Sequence, residues 1–506
     1  MKFSKIKAAA LILVLFICAA YTFSCADKNK EETNSGIPTE EKTAENEQTA
    51  TSEPEAVNSV GSRPDYDLPA QDFNGYNFRL ISRGETVQHW WNLDISADEE
   101  NGDLINDGVF QRNRKIEEKY NIKIVNIPDG EVSGKANKSI KAGSDDYDVV
   151  VIGLPLQGNL SVSGLLMDLH RMPFIDLTKP WWDQKAVEQL SVEGKLYATA
   201  CDLTIRDKDA IIILMFSKTL AQNYGIEDPY QLVLSGNWTI DKMYDMVKSA
   251  SKDLDGDGVM GLGDQYGFLT QYRHTQYLFN GCGEYIAKLS AEKLPEITLY
   301  NERSSDICDK IALMQADKNI TVNAEQASGK FTDIWDVFQV PLFAEDRALF
   351  YHAGMNRVTL LRTMETDFGI LPTPKYDETQ ENYHIAVDAA CMSSVSVPIT
   401  VSDPERTGQI LEDLTYESRY ILLPAYYDMN LKTKFARDEE SSAMIDIILT
   451  NRLYDLGEIY GWGSVVNYFN DLAQGKNTSL ATYWEKNEAK IESAMRKTMD
   501  KLSDLD

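Results

Sequence analysis

Four consecutive β-branched residues, Val149-Val150-Val151-Ile152, place the tightest constraint on this chain. A strand with apolar side chains on both faces has to be covered on both faces, which happens in parallel sheets flanked by helices. The neighbouring chain supplies such elements. Tyr76 to Ser82 reads as a strand. Gly108 to Tyr120 reads as a helix with Val109, Phe110, Ile116 and Tyr120 on its apolar side, and Ile122 to Ile127 as a further strand. Strand, helix and strand in repetition imply parallel pairing and an α/β lobe. A second continuous apolar run, Ala210 to Phe216, follows Gly194-Lys195-Leu196-Tyr197. Near the end Trp484, Ile491, Ala494, Met495, Thr498 and Leu502 keep helical spacing, so the chain closes on an amphipathic helix. No internal repeat of solenoid length is visible.

The ends carry an address. Lys2, Lys5 and Lys7 precede an apolar run from Ala8 to Ala20, too short for a comfortable membrane span; this is the pattern of an export signal, residues 1–24. It runs into Thr22-Phe23-Ser24-Cys25, and a cysteine after a small residue there is similar to the lipidation site of bacterial lipoproteins. That pattern usually has Leu three residues before the cysteine and a small residue two before, where this chain has Thr22 and Phe23. The alternative is a soluble secreted protein cleaved nearby. From Cys25 to about Asp65 the chain is polar with almost no large apolar residue, which predicts a disordered tether behind a lipid anchor at Cys25.

The remaining chain is too long for a single core and predicts at least two lobes. With 79 acidic against 50 basic residues, a formal charge of -29 and no basic patch, nucleic acid is excluded as a natural partner. Beyond Cys18 and Cys25 the cysteines are Cys201, Cys282, Cys308 and Cys391. They form no C-x-x-C pair, and no histidine spacing suits zinc. Export permits disulfides, and Cys282 with Cys308 is the pairing to test.

DLDGDGVMGLGD, residues 253 to 264, gathers four aspartates that repel one another unless a cation sits among them. Asp253, Asp255 and Asp257 stand at positions 1, 3 and 5, Gly258 at 6 and Asp264 at 12, the pattern of a Ca2+ loop to which Val259 would add its carbonyl. An unmetallated acidic turn is the alternative. Ile240, Met243, Tyr244 and Val247 mark an entering helix with Thr239 as N-cap, whereas Tyr266-Gly267-Phe268-Leu269 has no helical period. The loop therefore reads as a structural clip rather than a paired sensor.

Ligands of open α/β sheets sit beyond the carboxyl ends of strands, here the segments after Ser82, Ile152 and Phe216. After Ser82 come Arg83-Gly84-Glu85 and His89-Trp90-Trp91-Asn92, an aromatic pair among polar residues. The chain has no G-x-S-x-G, H-E-x-x-H, G-x-x-x-x-G-K-[ST], or G-x-G-x-x-G after a strand.

Several stretches taken together resemble the extracellular solute-binding proteins, of the sugar-binding kind, that serve bacterial ABC importers. They are ENGDLINDGVFQRNRKIEEKYNIKI (100 to 124), DDYDVVVIG (145 to 153), GKLYATACDLTIRD (194 to 207), GNWTIDKMY (236 to 244), DFGILPTPKYDE (367 to 378), SVPITVSDPERTGQILEDL (396 to 414) and KTKFARDEESSAMIDII (432 to 448). The resemblance implies a two-lobed periplasmic-binding-protein-like α/β fold of type II, with the ligand cleft between the lobes. By analogy the chain crosses near Ala200 to Arg206 and near Ile385 to Met392. Lobe 1 is then 66–203 plus 388–450, and lobe 2 is 204–387 plus 451–506. A calcium loop is a common ornament of the second lobe in this family, in keeping with the clip at 253–264. The implied protein is a monomer, tethered by lipid to the outer face of the cell membrane, that delivers a carbohydrate to the transmembrane permease subunits.

A sugar offers hydroxyls at its edge and C–H faces, so its site needs acid and amide side chains with aromatic rings. Candidates are Trp90 and Trp91 after the strand exit, Trp181 and Trp182 ahead of the first crossing, and Trp462, which corresponds by position to a sugar-stacking tryptophan of the wider family. A lone tryptophan belongs more often to a core. Asp202 and Asp388 lie at the crossings, where they reach a ligand or hold hinge backbone; Arg206 and Asn356 complete the set, and Arg206 has Asp207 as an alternative partner. Two other functions stay open: a secreted glycoside hydrolase, for which two carboxylates across a cleft suffice, and a glycan-binding surface lipoprotein with no part in transport.

Overall fold

The computed structural model describes residues 62–84, 91–361, 364–365, 367–428, 439–476 and 479–505. The expected signal segment, Cys25, nearly all of the tether, and Trp90 lie outside them. In chain order the strands are β1 (Tyr76–Arg83), β2 (Ile122–Asp129), β3 (Val149–Ile152), β4 (Ile212–Ser217), β5 (Tyr266–Thr270), β6 (Ala287–Leu289), β7 (Pro295–Ile297), β8 (Thr321–Asn323), β9 (Ala348–Gly354), β10 (Phe368–Leu371), β11 (Ile385–Ala386), β12 (Ser394–Ser396) and β13 (Arg452–Leu453). All four residues of β3 are fully buried, the covered strand that their composition predicts.

Nine strands form two sheets of the same design. The first runs β2-β1-β3-β12 and the second β8-β5-β9-β4-β10. In the first, β1 is parallel to β2 and β3, and β12 lies antiparallel to β3, with Thr199 bridged antiparallel to Val395 beyond it. In the second, β5 is parallel to β8 and β9, β4 is antiparallel to β9, and β10 is antiparallel to β4. The order and sense of the two sheets match position by position.

Helices cover each sheet. Leu104–Tyr120 starts one turn earlier than its apolar spacing suggests, because the Asp103 carboxylate accepts the N–H groups of Ile105 and Asn106 and so caps the start. It packs on Pro404–Tyr420 and Leu422–Tyr427 in the first lobe. The second sheet carries Ile240–Ala250, His274–Gly281 and Glu302–Gln315. Glu439–Thr450 lies on β10, and Ser441 Oγ sits 2.9 Å from Tyr230 OH on Pro229–Leu234. This helix therefore goes with the second sheet, which departs from the expected lobe 1 segment 388–450. Its apolar residues suit either lobe; only the partner surface distinguishes them. The closing helix, Leu480–Ser503, touches both Leu154–Val162 of the first lobe and Glu302–Gln315 of the second.

The chain passes from the first sheet to the second between Thr199 and Ile212 and returns between Leu371 and Ser394. The two passages touch: Ile211 bridges Val387, and the Asp388 N–H donates to the Ala210 carbonyl at 2.9 Å. β13 adds a third segment by pairing with β11. Gly153, at the end of β3, is required by this arrangement, since a Cβ there would meet the Ala390 carbonyl oxygen at 2.5 Å. The four described cysteines are free, which corrects the expected Cys282–Cys308 pair; both thiols are fully buried and serve as small apolar fillers.

Candidate functional site

A cleft of about 580 Å³ opens between the lobes where the exits of β1 and β9 meet the first passage of chain. The exit of β1 contributes Trp91, Asn92, Leu93, Asn101 and Asn106; the passage contributes Ile205, Arg206 and Asp209. The segment after β9 contributes Asn356, Arg357 and Leu360, and Tyr426 closes one end. The side chains are those of a ligand with both polar and apolar faces: four amides, two aromatic rings and a set of aliphatic chains.

The two arginines of the cleft are matched by carboxylates of its own lining. Arg206 Nη1 lies 2.8 Å from Asp209 Oδ2, and Tyr426 OH donates to Asp209 Oδ1 at 3.1 Å. Burial raises the Asp209 carboxyl above its ordinary value, and Arg206 opposes that shift. Arg357 pairs with Asp336. Three polar atoms are left over: Trp91 Nε1, Arg206 Nε and Asn356 Oδ1 are buried and have no hydrogen-bond partner among the described residues. An unsatisfied buried donor or acceptor costs about 1–3 kcal/mol, a penalty that a ligand group in the right place removes. One of the three comes from each lobe and one from the hinge.

The floor beside the cleft is rigidly built. Arg83, at the end of β1, donates to the carbonyls of Ala390, Cys391 and Met392 and to Ser393 Oγ, so a single guanidinium holds the return passage. Burial pushes it down to about 10, with the charge of Arg206 acting in the same direction and Asp388 and Asp94 opposing. Asp388 accepts the N–H groups of Ala390 and Cys391 and pairs with Arg273 Nη2 at 3.0 Å. Burial opposes its ionisation, yet Arg273 and the Cys391 N–H keep it below the ordinary carboxylate value. Glu458, on the same guanidinium, is raised by burial to about 7.

Of the residues singled out from the sequence, Trp91, Arg206 and Asn356 come together in this cleft. The others do not. Trp181 and Trp182 are 1% and 0% exposed and belong to the core. Their indole N–H groups donate to the two oxygens of Glu412 at 3.0 and 2.9 Å. Adjacent strand residues would point to opposite faces, but this pair sits on a turn and both rings enter the same core. Trp462 is 2% exposed, stacked on Tyr460 at 5.1 Å and donating to Thr498 Oγ1; it is a prop for the closing helix. Asp202 pairs with Lys208 at 2.8 Å and Arg419 at 3.0 Å, and Asp388 with Arg273, so both hold the hinge. Sequence reasoning passed over Asn101, Asn106, Asp209, Arg357 and Tyr426. The two asparagines flank the Asp103 helix cap, and that cap was the available signal for a loop end facing the cleft.

The acidic loop is shaped for a hard cation. One oxygen from each of Asp253, Asp255 and Asp257 lies within 4.8 Å of the others. Asp253 accepts the N–H groups of Gly256 and Gly258 at 2.7 and 2.8 Å, and those glycines take φ of 74° and 82°. Asp264 stands apart from the three, its oxygens accepting the N–H groups of Leu254 and Gly261. An all-oxygen set on a tight loop fits Ca2+. Helix Ile240–Ala250 enters the loop and strand β5 leaves it.

The model of the bacterial extracellular solute-binding proteins matches residues 97–387. The chain belongs to that family. No curated protein matches this solute-binding protein. Among solved structures it is similar to a cyclo/maltodextrin-binding protein complexed with maltotetraose, with a TM-score of 0.53 at 15% identity over 87% of this chain and 98% of that one. It is also similar to an ABC substrate-binding protein from Listeria monocytogenes in complex with cycloalternan, with a TM-score of 0.51 at 12% identity over 86% and 98%. A maltose/maltodextrin-binding domain from Bdellovibrio bacteriovorus bound to maltotriose gives 0.50 at 14% identity over 85% and 100%. At such identities the likeness is one of fold: two α/β lobes with a cleft between them.

Proposed function

We propose that this solute-binding protein holds a carbohydrate, an oligosaccharide, between its lobes and hands it to the permease of an ABC importer without chemical turnover. The observation that carries the reading is the set of buried polar atoms without a partner among the described residues, Trp91 Nε1, Arg206 Nε and Asn356 Oδ1, which line one cleft from both lobes and the hinge. Sugar hydroxyls donate and accept at once, so one ring edge can satisfy an indole N–H and an amide oxygen together. The Trp91 and Tyr426 rings offer faces for C–H groups. The ligands bound by the similar structures, maltotetraose, cycloalternan and maltotriose, are in keeping with this class. Ligand contacts made from both lobes favour the closed form, and the permease recognises that form. Cys25 carries the lipid that keeps the exported chain at the outer face of the membrane. Asp253, Asp255 and Asp257, with the Val259 carbonyl, hold Ca2+ as a clip, and Asp264 braces the loop through the N–H groups of Leu254 and Gly261.

The test is calorimetric titration of residues 60–506 with linear and cyclic oligosaccharides, with recovery of the sugar afterwards. Saturable binding with the sugar intact is the expected outcome. Cleaved sugar would make the protein a glycoside hydrolase, and no binding to any sugar would overturn the proposed solute class.

A further inference from the structure

A second cleft, of about 530 Å³, abuts the hinge and shares no lining residue with the first. One wall is the helix Gln184–Leu190 of the first lobe, through Glu188 and Gln189. The other is the β6–β7 hairpin, with Tyr285 just ahead of it. His384 and Tyr454, which border β11 and β13, form the floor. The walls are tied together: the Glu193 N–H donates to the Lys293 carbonyl at 2.9 Å, Lys293 Nζ to the Glu188 carbonyl at 3.3 Å, and the Tyr454 N–H to Gln189 Oε1 at 2.8 Å.

The charge of this cleft runs against that of the chain. Its charged lining is Lys288, Lys293 and Glu188, and Glu188 is already paired with Lys185 at 3.5 Å. Neither lysine has a carboxylate partner among the described residues, although the protein carries 79 acids against 50 bases. Tyr285 and His384 present rings to the same space, in an edge contact with centroids 5.9 Å apart. His384 Nδ1 is buried with no partner among the described residues. Burial holds the His384 ring below its ordinary value, and the charges that reach it, Arg303, Lys288 and Lys185, are all positive and act in the same direction. Two lysines with no carboxylate partner among the described residues, two ring walls and one unused ring nitrogen describe a recess for a planar anion, with Glu188 of the lining turned to Lys185.

We propose that this hinge-side cleft is a second ligand site, taking a small aromatic carboxylate whose anion lies between Lys288 and Lys293 and whose ring packs beside Tyr285 and His384. The site is separate from the sugar cleft and does not depend on the function proposed for it.

The experiment uses the full chain with labelled histidine rings, titrated with benzoate and with benzyl alcohol at constant ionic strength; His384→Gln assigns the resonance. The expected result is a saturable shift of the His384 signal, at least tenfold tighter for benzoate than for benzyl alcohol, with the ring pKa of His384 rising in the complex. The double variant Lys288→Glu with Lys293→Glu should weaken it at least tenfold while the buried His274 and His352 signals stay in place as a control for folding. Trp91→Ala should leave it unchanged. No saturation, equal response to the alcohol, full binding by the double variant, or loss in Trp91→Ala would each overturn the proposal.

Discussion

Trp91 and Trp181 show how little a residue's type says about its role. Trp181 is in the core with its N–H satisfied by Glu412, whereas the Trp91 N–H is buried with no partner among the described residues. Trp181→Ala should cost about 3–5 kcal/mol of stability, read as a large drop in the thermal midpoint. Trp91→Ala should leave the midpoint within a few degrees and weaken sugar binding by about tenfold or more; the reverse pattern would exchange their roles. Glu412 offers a second measurement. Burial raises it, Asp207 and Glu458 each to about 7. The folded chain therefore binds more protons than the unfolded one between about pH 4 and pH 7. Their stabilising contribution is complete below about pH 4 and is lost as pH rises through about 7. Thermal midpoints should fall from pH 5 to pH 8, and Glu412→Gln should flatten that fall by its own share, on the order of 3 kcal/mol. The sequence names Trp91, Arg206 and Asn356 because two of them lie at strand or passage exits. It misplaces Trp181, Trp182 and Trp462 because an indole suits a core and a sugar face equally, and only the tertiary partner distinguishes them.

Single elements were legible where one local rule decides them. Four β-branched residues could only be a covered strand, and β3 is one. The acidic loop was legible from spacing alone, and it separates a helix from strand β5 with three carboxylates turned together. If calcium acts there as a clip, EGTA should lower the thermal midpoint and leave sugar affinity unchanged at temperatures where the fold persists; loss of affinity under those conditions would tie the loop to the site instead. Elements chosen by a distant surface were not legible. Helix Glu439–Thr450 has an apolar face that fits many sheets, and its place on β10 depends on Tyr230, far back in the chain. The hairpin β6–β7 is three residues a side, too short for alternation to register.

At the scale of the molecule, each sheet contains one antiparallel strand brought in by chain that has just left the other lobe: β4 in the second sheet, β12 in the first. Neither lobe is complete without the other. Calorimetry should accordingly show a single unfolding transition with calorimetric and van't Hoff enthalpies in agreement; two resolved transitions would mean that the lobes are separable. The same two strands also set an order of assembly. On a chain delivered with its amino end first, β1, β2 and β3 emerge early, but the edge of β3 stays unpaired until Ser394–Ser396 follow from far down the sequence. An open edge on an apolar strand invites pairing with a neighbouring chain. Throughout that interval the half-finished first sheet is the aggregation-prone part of the molecule, and its protection while it waits falls to whatever accompanies the chain across the membrane.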